Sequence, residues 1–416
     1  MICNKYIDMV GVKTRVLPII GCFWLFVVLD SFFIWNSYEN IIKLLACIFV
    51  VVSTFYCSYR HLLHVYFSNL LIAISVALFY LWLTVRVDMT FASQIVRACM
   101  FIPLLLMLFW PRQVIVDIYE LFRKLIVFFA FGSISVSILY ILGLNSFVPH
   151  YELQPQSALH ERLGYVYYVY GCFVIVHDAL SSILPRANGM LQEPGHFAII
   201  LGFVYLVERL LNKKPNIIMI ICGILTFSPN FILLLFLAEF YNAIRRKMLL
   251  KVFGFVLAAI CFFVFLFFML PKSLQDEFYF LIFERNMEFV IDALMSSGSL
   301  SDALNERTNQ SGLSYFYSLR PDEIWTGIAV HDDSIILSDY RGLILNIGIL
   351  GLLLLIFVML SLVYKVPFMI KFSFLCMLIL VVLHRSWMFY SPYLIYMVYM
   401  ATVVLKNHDI IKCRML

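Results

Sequence analysis

The sequence predicts an all-α, polytopic transmembrane fold, and three observations carry that prediction. Hydrophobic residues make up 63% of the 416 and charged residues 13%, a balance that a water-soluble chain could not sustain without exposing large apolar patches. Apolar runs of about 16 to 24 residues recur along the chain and match the roughly 20 needed to cross the hydrocarbon core as helix, which excludes barrel strands. Basic residues are shared unevenly between the alternate sides of those runs.

Crossings are expected near 16–35, 41–59, 64–85, 95–110, 124–144, 196–211, 216–227, 229–244, 251–270, 343–364, 367–383 and 388–405, about twelve in all. The first run follows Lys5, Lys13 and Arg15 and lacks a small-residue cleavage site, so it reads as a retained span. The pieces 216–227 and 229–244 are short and are broken by Ser228-Pro229-Asn230. Two crossings and one kinked or re-entrant hairpin both fit there, because Pro removes a donor and clashes with the preceding turn. Residues 1–416 read as a single integral membrane domain, with no internal repeat or low-complexity tract.

With both termini on the cytoplasmic side, the inner segments collect 19 basic residues and the outer segments 11, although the outer loops are longer. The bias in type is also informative. Nine of the 11 outer basic residues are Arg, whereas Lys leads 11 to 8 inside. A planar guanidinium suits bidentate binding of phosphate, and Arg also packs well at interfaces.

Two long polar stretches, 145–195 and 271–342, interrupt the helices on the outer side, and loops of that length are usually functional. Within the first, Leu163–Leu184 is Tyr-rich and apolar enough to be mistaken for a span. An interfacial position, ring in lipid and hydroxyl in water, suits it better, because a crossing there would put Arg245-Arg246-Lys247 on the wrong side. The second loop opens with Leu274–Met295, whose apolar positions recur at helical spacing and predict a helix lying on the membrane surface.

Ionisable groups at a membrane boundary are costly and usually mark a site. Residues 185–198 read P-R-A-N-G-M-L-Q-E-P-G-H-F-A, which sets Arg186, Glu193 and His196 just ahead of an apolar run that begins at Pro194. Pro is a normal first helical residue, and outward-facing amides beside Arg offer an anion site with a carboxylate able to act as base. The competing reading is that Arg186 and Glu193 merely pair at the interface. Further along, His331, Asp332, Asp333, Asp339 and Arg341 gather at the threshold of the 343–364 run. Arg285 and Arg307 are the remaining outer-loop candidates. Arg97 is the oddest charge inside a span, whereas Asp30, Glu208 and Glu239 lie near helix ends where neighbouring basic groups satisfy them.

The ten Cys are scattered without C-x-x-C spacing, so neither a disulfide framework nor a zinc site follows, and the bare Asp332-Asp333 pair is a weak metal motif; no metal and no cofactor are expected. There is no phosphate-binding P-loop, dinucleotide fingerprint or H-E-x-x-H, which argues against a nucleotide-sugar enzyme working inside the cell. Coupled carriers usually place carboxylates mid-helix and show two-fold internal symmetry, and neither is present.

The pattern R-x-x-G-x-x-x-E-P-x-x-x-A, here Arg186, Gly189, Glu193, Pro194 and Ala198, behind a Tyr-rich outer segment, resembles that of the O-antigen and capsular polysaccharide repeat-unit polymerases. Leu225–Ser228 (L-T-F-S) is similar to their L-T-x-S element, and H-D-D-S-I-I-L…R-G-L-I-L-N-I-G-I-L-G to their H-N-x-x-L…G-I-x-G return into the membrane. Asp332 stands where that family often has Asn, and the O-antigen ligases share the layout. The resemblance implies a C-type glycosyltransferase architecture with a large periplasmic loop. It also implies polymerisation of undecaprenyl-pyrophosphate-linked oligosaccharides at the outer face of the bacterial inner membrane, with inversion and without nucleotide or metal. Its implied partners are the lipid-linked donor and acceptor, membrane lipids, a chain-length regulator and a flippase, but no nucleic acid.

Under that reading Arg186, Glu193 and His331 are the catalytic candidates. Arg186, His196, Arg285, Arg307, Arg341 and Asp333 are those for pyrophosphate and glycan. The alternatives are a ligase, or a lipid-linked oligosaccharide flippase or other transporter.

Overall fold

The computed structural model describes residues 16–31, 38–63, 65–86, 91–154, 164–177, 184–248, 254, 267–279, 310–328, 337, 339–364 and 366–415. In chain order the chain begins with α1 (Val16–Val28), α2 (Glu39–Tyr59), α3 (Phe67–Arg86), α4 (Phe91–Met107) and α5 (Arg112–Ile141). Four strands follow, β1 (Tyr151–Leu153), β2 (Val166–Tyr170), β3 (Phe173–His177) and β4 (Arg186–Gly189). Then come α6 (Pro194–Leu210), α7 (Ile217–Leu225), α8 (Pro229–Arg245), α9 (Lys272–Tyr279), α10 (Gln310–Tyr317) and α11 (Pro321–Thr326). The chain closes with α12 (Tyr340–Val363), α13 (Phe368–His384) and α14 (Tyr393–Met415). Two compact units are present, one of residues 1–125, 316–332 and 336–416, the other of 126–315 with 333–335.

The chain is predominantly helical, and four of its described helices, Glu39–Tyr59, Phe67–Val85, Arg112–Ile141 and Tyr340–Val363, are long and apolar enough to cross a membrane. Helix lies at each expected crossing except 251–270, which falls almost wholly outside the described residues. The boundaries differ where polar residues ride on a helix. The expected 124–144 run is part of the 30-residue α5, whose N-terminal charges are tied along one face by Gln113 to Asp117 at 2.9 Å and Arg123 to Glu120 at 2.8 Å.

The first unit contains a helix that the sequence does not announce as broken. The expected continuous span 343–364 becomes α12, but Gly348 sits at φ 68°, ψ 178° and interrupts it. An added Cβ at Gly348 would lie 2.4 Å from the Trp325 carbonyl oxygen, so only Gly fits the close approach of α11. Carbonyls freed by the break are taken by other elements: Trp82 Nε1 donates to Ile347 O at 2.8 Å and the Ile328 amide to Leu345 O at 2.8 Å. Such repair is what allows irregular backbone inside a membrane protein.

The second unit corrects the all-α expectation. Its 145–195 stretch holds a four-stranded antiparallel sheet in the order β1-β2-β3-β4. The Tyr-rich segment read as lying at the interface is its central hairpin, turning at Gly171-Cys172 with Tyr170 opposite Phe173. The period is two: Tyr167 and Val169 are buried while Val166 and Tyr168 are half-buried, the alternation of a strand carrying β-branched and aromatic residues. The sheet packs on the C-terminal half of α5, with Phe173 against Phe128 and Phe129 at ring separations of 5.2 and 6.3 Å and Tyr168 against Tyr140 at 5.2 Å.

Every residue of α6 is buried, which marks it as the core helix of this unit. The α7 and α8 pieces form a hairpin, with the turn at Phe227 and Ser228, and α8 runs parallel to α6. Gly202 faces Leu234, Tyr205 faces Glu239 and the Leu210 carbonyl accepts from Arg245, so the contacts advance together along both helices. Arg209 meets Glu239 with 2.6 and 2.9 Å contacts, and Tyr205 Oη donates to the same carboxylate at 2.5 Å. Thus the charge at Glu239 is satisfied by a neighbouring basic group, as its place near a helix end predicts.

Of the expected amphipathic helix 274–295, the described part is α9. Glu277 is buried there and accepts from the Leu184 amide at 3.0 Å, while Phe278 packs on Phe227 at 5.8 Å. Residues 280–309 lie outside the described residues.

Candidate functional site

The segment that runs from β4 into α6 is buried at β4 and at Leu191 and half-buried at Met190, Gln192 and Glu193. All four residues of β4 are buried, and its end is held by the Gly189 amide donating to Ser133 Oγ of α5 at 3.1 Å. Asn188 closes the following turn, its carbonyl accepting from Leu191 at 3.0 Å and its Nδ2 donating to Gln192 O at 3.2 Å. Asn188 Oδ1 is buried and takes no donor among the described residues. Glu193 then caps α6 in an extended conformation (φ −122°, ψ 135°), the shape favoured before a Pro. Its carbonyl accepts from the His196 and Phe197 amides, both at 3.1 Å.

Arg186 is 4% exposed and projects from β4 onto the break between α7 and α8. Its Nε donates to the Thr226 carbonyl at 3.1 Å and its Nη1 to Tyr165 Oη at 3.2 Å. Thr226 is the C-cap of α7, where carbonyls lack helical partners, so the guanidinium satisfies an acceptor that the helix end leaves over. The L-T-F-S element and the R-x-x-G-x-x-x-E-P segment are thereby joined by one hydrogen bond. Glu193 is half-buried at the positive end of the α6 dipole, and His196, two residues beyond Pro194, is 3% exposed inside the first turn.

At the start of α12, in the first unit, Asp339 is the N-cap. Its Oδ1 accepts from the Arg341 amide at 2.9 Å and its Oδ2 from Arg341 Nε at 2.8 Å, while the Asp339 carbonyl accepts from Ser386 Oγ at 2.6 Å. Arg341 is 4% exposed, and its fork is shared between the carboxylate two residues away and a side-chain hydrogen bond with Tyr317 of α10. One turn inward, Asn346 Nδ2 donates to Gly342 O at 2.8 Å and to Tyr390 Oη at 2.9 Å. Arg97 is half-buried, donates to Leu83 O at 3.3 Å and lies within electrostatic reach of Tyr390.

His331, Asp333, Arg285 and Arg307, together with Asp332, lie outside the described residues. Arg186 lies on β4 and reaches Thr226 and Tyr165, whereas Glu193 and His196 lie at the start of α6. Tyr165, Ser133, Asn188 and the Thr226 carbonyl were not singled out from sequence. For Tyr165 the signal was the period-two alternation leading into β2; for the Thr226 carbonyl it was the Ser228-Pro229 break, which guarantees unpaired acceptors just before it. No group of three or more His, Cys, Asp or Glu able to hold a metal is present among the described residues.

Comparison with known proteins adds no neighbour: no family model, curated protein or solved structure matches this chain.

Proposed function

We propose that this chain is a membrane glycosyltransferase that polymerises oligosaccharide repeat units carried on undecaprenyl pyrophosphate, working at the outer face of the bacterial inner membrane with both termini cytoplasmic. One observation carries the reading. The two short segments on which the family resemblance rests, R-x-x-G-x-x-x-E-P and L-T-F-S, meet through the Arg186 to Thr226 hydrogen bond, 40 residues apart in sequence. The outer-side preference for Arg and the burial of β4 support it further.

In the reaction a hydroxyl oxygen of the acceptor unit attacks the anomeric carbon of the growing chain. The bond from that carbon to the pyrophosphate oxygen breaks with its electron pair leaving on the pyrophosphate, and the hydroxyl proton passes to a base. Negative charge therefore develops on the leaving group, and preorganised guanidinium groups stabilise it. Arg186, with Arg285 and Arg307, is assigned that role, His196 lines the same helix start, and Asp333 is assigned to the glycan. Arg341, already paired with Asp339, is the weaker phosphate candidate. Glu193 and His331 are the two bases available for the proton.

The test is a gel ladder of surface polysaccharide from cells with and without an intact copy of this protein. Loss of the ladder to single repeat units is the expected result, and an unchanged ladder overturns the proposal. Lipid-linked polymer of normal length accumulating in the deletion would identify a ligase instead. Purified protein that translocates lipid-linked units without lengthening them would identify a transporter.

A further inference from the structure

We propose that the cleft among the α3 N-terminus, the α5 N-terminus, the C-terminal end of α12 and the middle of α14 binds the phosphate of an anionic lipid headgroup, gripped by Arg112 and Lys406. All of its parts belong to the first unit. Among the described residues that line the cleft are two cations and no carboxylate. Arg112 has no carboxylate at ion-pair distance among the described residues, and its guanidinium is instead laid over the Tyr66 ring, 4.5 Å from the centroid. Stacking of that kind fixes the plane of the fork while leaving its N–H edges to a ligand.

The floor of the cleft is already built. Asn69 Nδ2 and Tyr399 Oη both donate to the Leu108 carbonyl, at 2.8 and 2.9 Å, so two helices are locked around one acceptor left over by the end of α4. Asn407 and Tyr364 also line the cleft and add polar atoms beside the cations. What surrounds it argues for a lipid over a free anion. Phe67 and Leu360, each next in sequence to a residue lining the cleft (Ser68 and Ser361), are 78% and 49% exposed, and offer apolar surface to an acyl chain whose phosphate sits between the cations. By the distribution of basic residues this is the cytoplasmic end of the bundle, where anionic lipid supplies the matching charge.

The test uses the full-length protein in detergent, followed by native mass spectrometry and thermal melting. On the unaltered chain, phosphatidylglycerol should remain bound and raise the melting temperature, whereas phosphatidylcholine and inorganic phosphate should do neither. Equal retention of phosphatidylcholine overturns the charge argument; displacement by millimolar inorganic phosphate overturns the lipid source. The double variant R112A/K406A should lose phosphatidylglycerol retention at least tenfold, and R112K should lose part of it because the fork is gone. R60A, which removes another cation lying over a Tyr ring but outside this cleft, should retain the lipid fully. Equal loss in R60A overturns the assignment, as does full retention in the double variant. The unaltered-chain comparison decides the matter should the double variant fail to fold.

Discussion

Two arginines stand at the starts of helices, Arg186 ahead of α6 and Arg341 in the first turn of α12, and both are 4% exposed. Their partners differ. Arg341 meets a carboxylate two residues back, Asp339, which also caps the helix, so the charge that balances it comes from its own short segment even though Tyr317 hydrogen-bonds it as well. Arg186 donates to a carbonyl 40 residues ahead and a phenol 21 residues back, and neither partner is near it until the hairpin and the sheet have formed. The first arrangement holds a helix start in place; the second places a guanidinium by tertiary structure.

The comparison can be broken by substitution. The largest effect is expected at Arg341→Ala, which leaves Asp339 partly buried without its partner and should cost about 3–5 kcal/mol, read as a fall in melting temperature. The double variant D339N/R341Q should recover much of that loss. Recovery of nothing would mean that Arg341 contributes something other than the pair.

Arg186→Lys comes next: it keeps the charge but cannot serve Thr226 and Tyr165 with one planar fork, so polymer synthesis should drop about a hundredfold with little change in melting temperature. Near-normal synthesis would return Arg186 to a packing role and erase the contrast with Arg341. Gly342→Ala puts a Cβ 1.9 Å from the Leu337 carbonyl oxygen and should destabilise by about 1–3 kcal/mol, because backbone cannot step aside as a side chain can. The smallest expected effect is that of Tyr165→Phe, which removes one acceptor from Arg186; a loss of about 1 kcal/mol, some fivefold in synthesis, would show that the phenol positions the guanidinium.

Much of this was legible in the residues. Apolar runs located the long described helices but not the short α10 and α11, Pro194 marked the start of α6, and Ser228-Pro229 marked the turn between α7 and α8. Other features were hidden for identifiable reasons. Leu163–Leu184 is as apolar as a span, and only its period of two betrays strands, a signal weakened because the buried and half-buried faces both carry Tyr and Val. The break at Gly348 lies inside an unbroken apolar run, where a single Gly is tolerated in a helix and gives no warning.

Composition and the length of its apolar runs by themselves determined that this chain is mostly helical with spans fit for a membrane, since a continuous apolar run of about 20 residues satisfies its own backbone away from water as helix. Which acceptor each guanidinium finds, where α12 gives up its helical bonds to Trp82 and Ile328, and that four strands pack on α5 were decided only by the tertiary structure. Those contacts join residues tens to hundreds of positions apart, and a local pattern holds no record of which distant carbonyl a freed donor will meet.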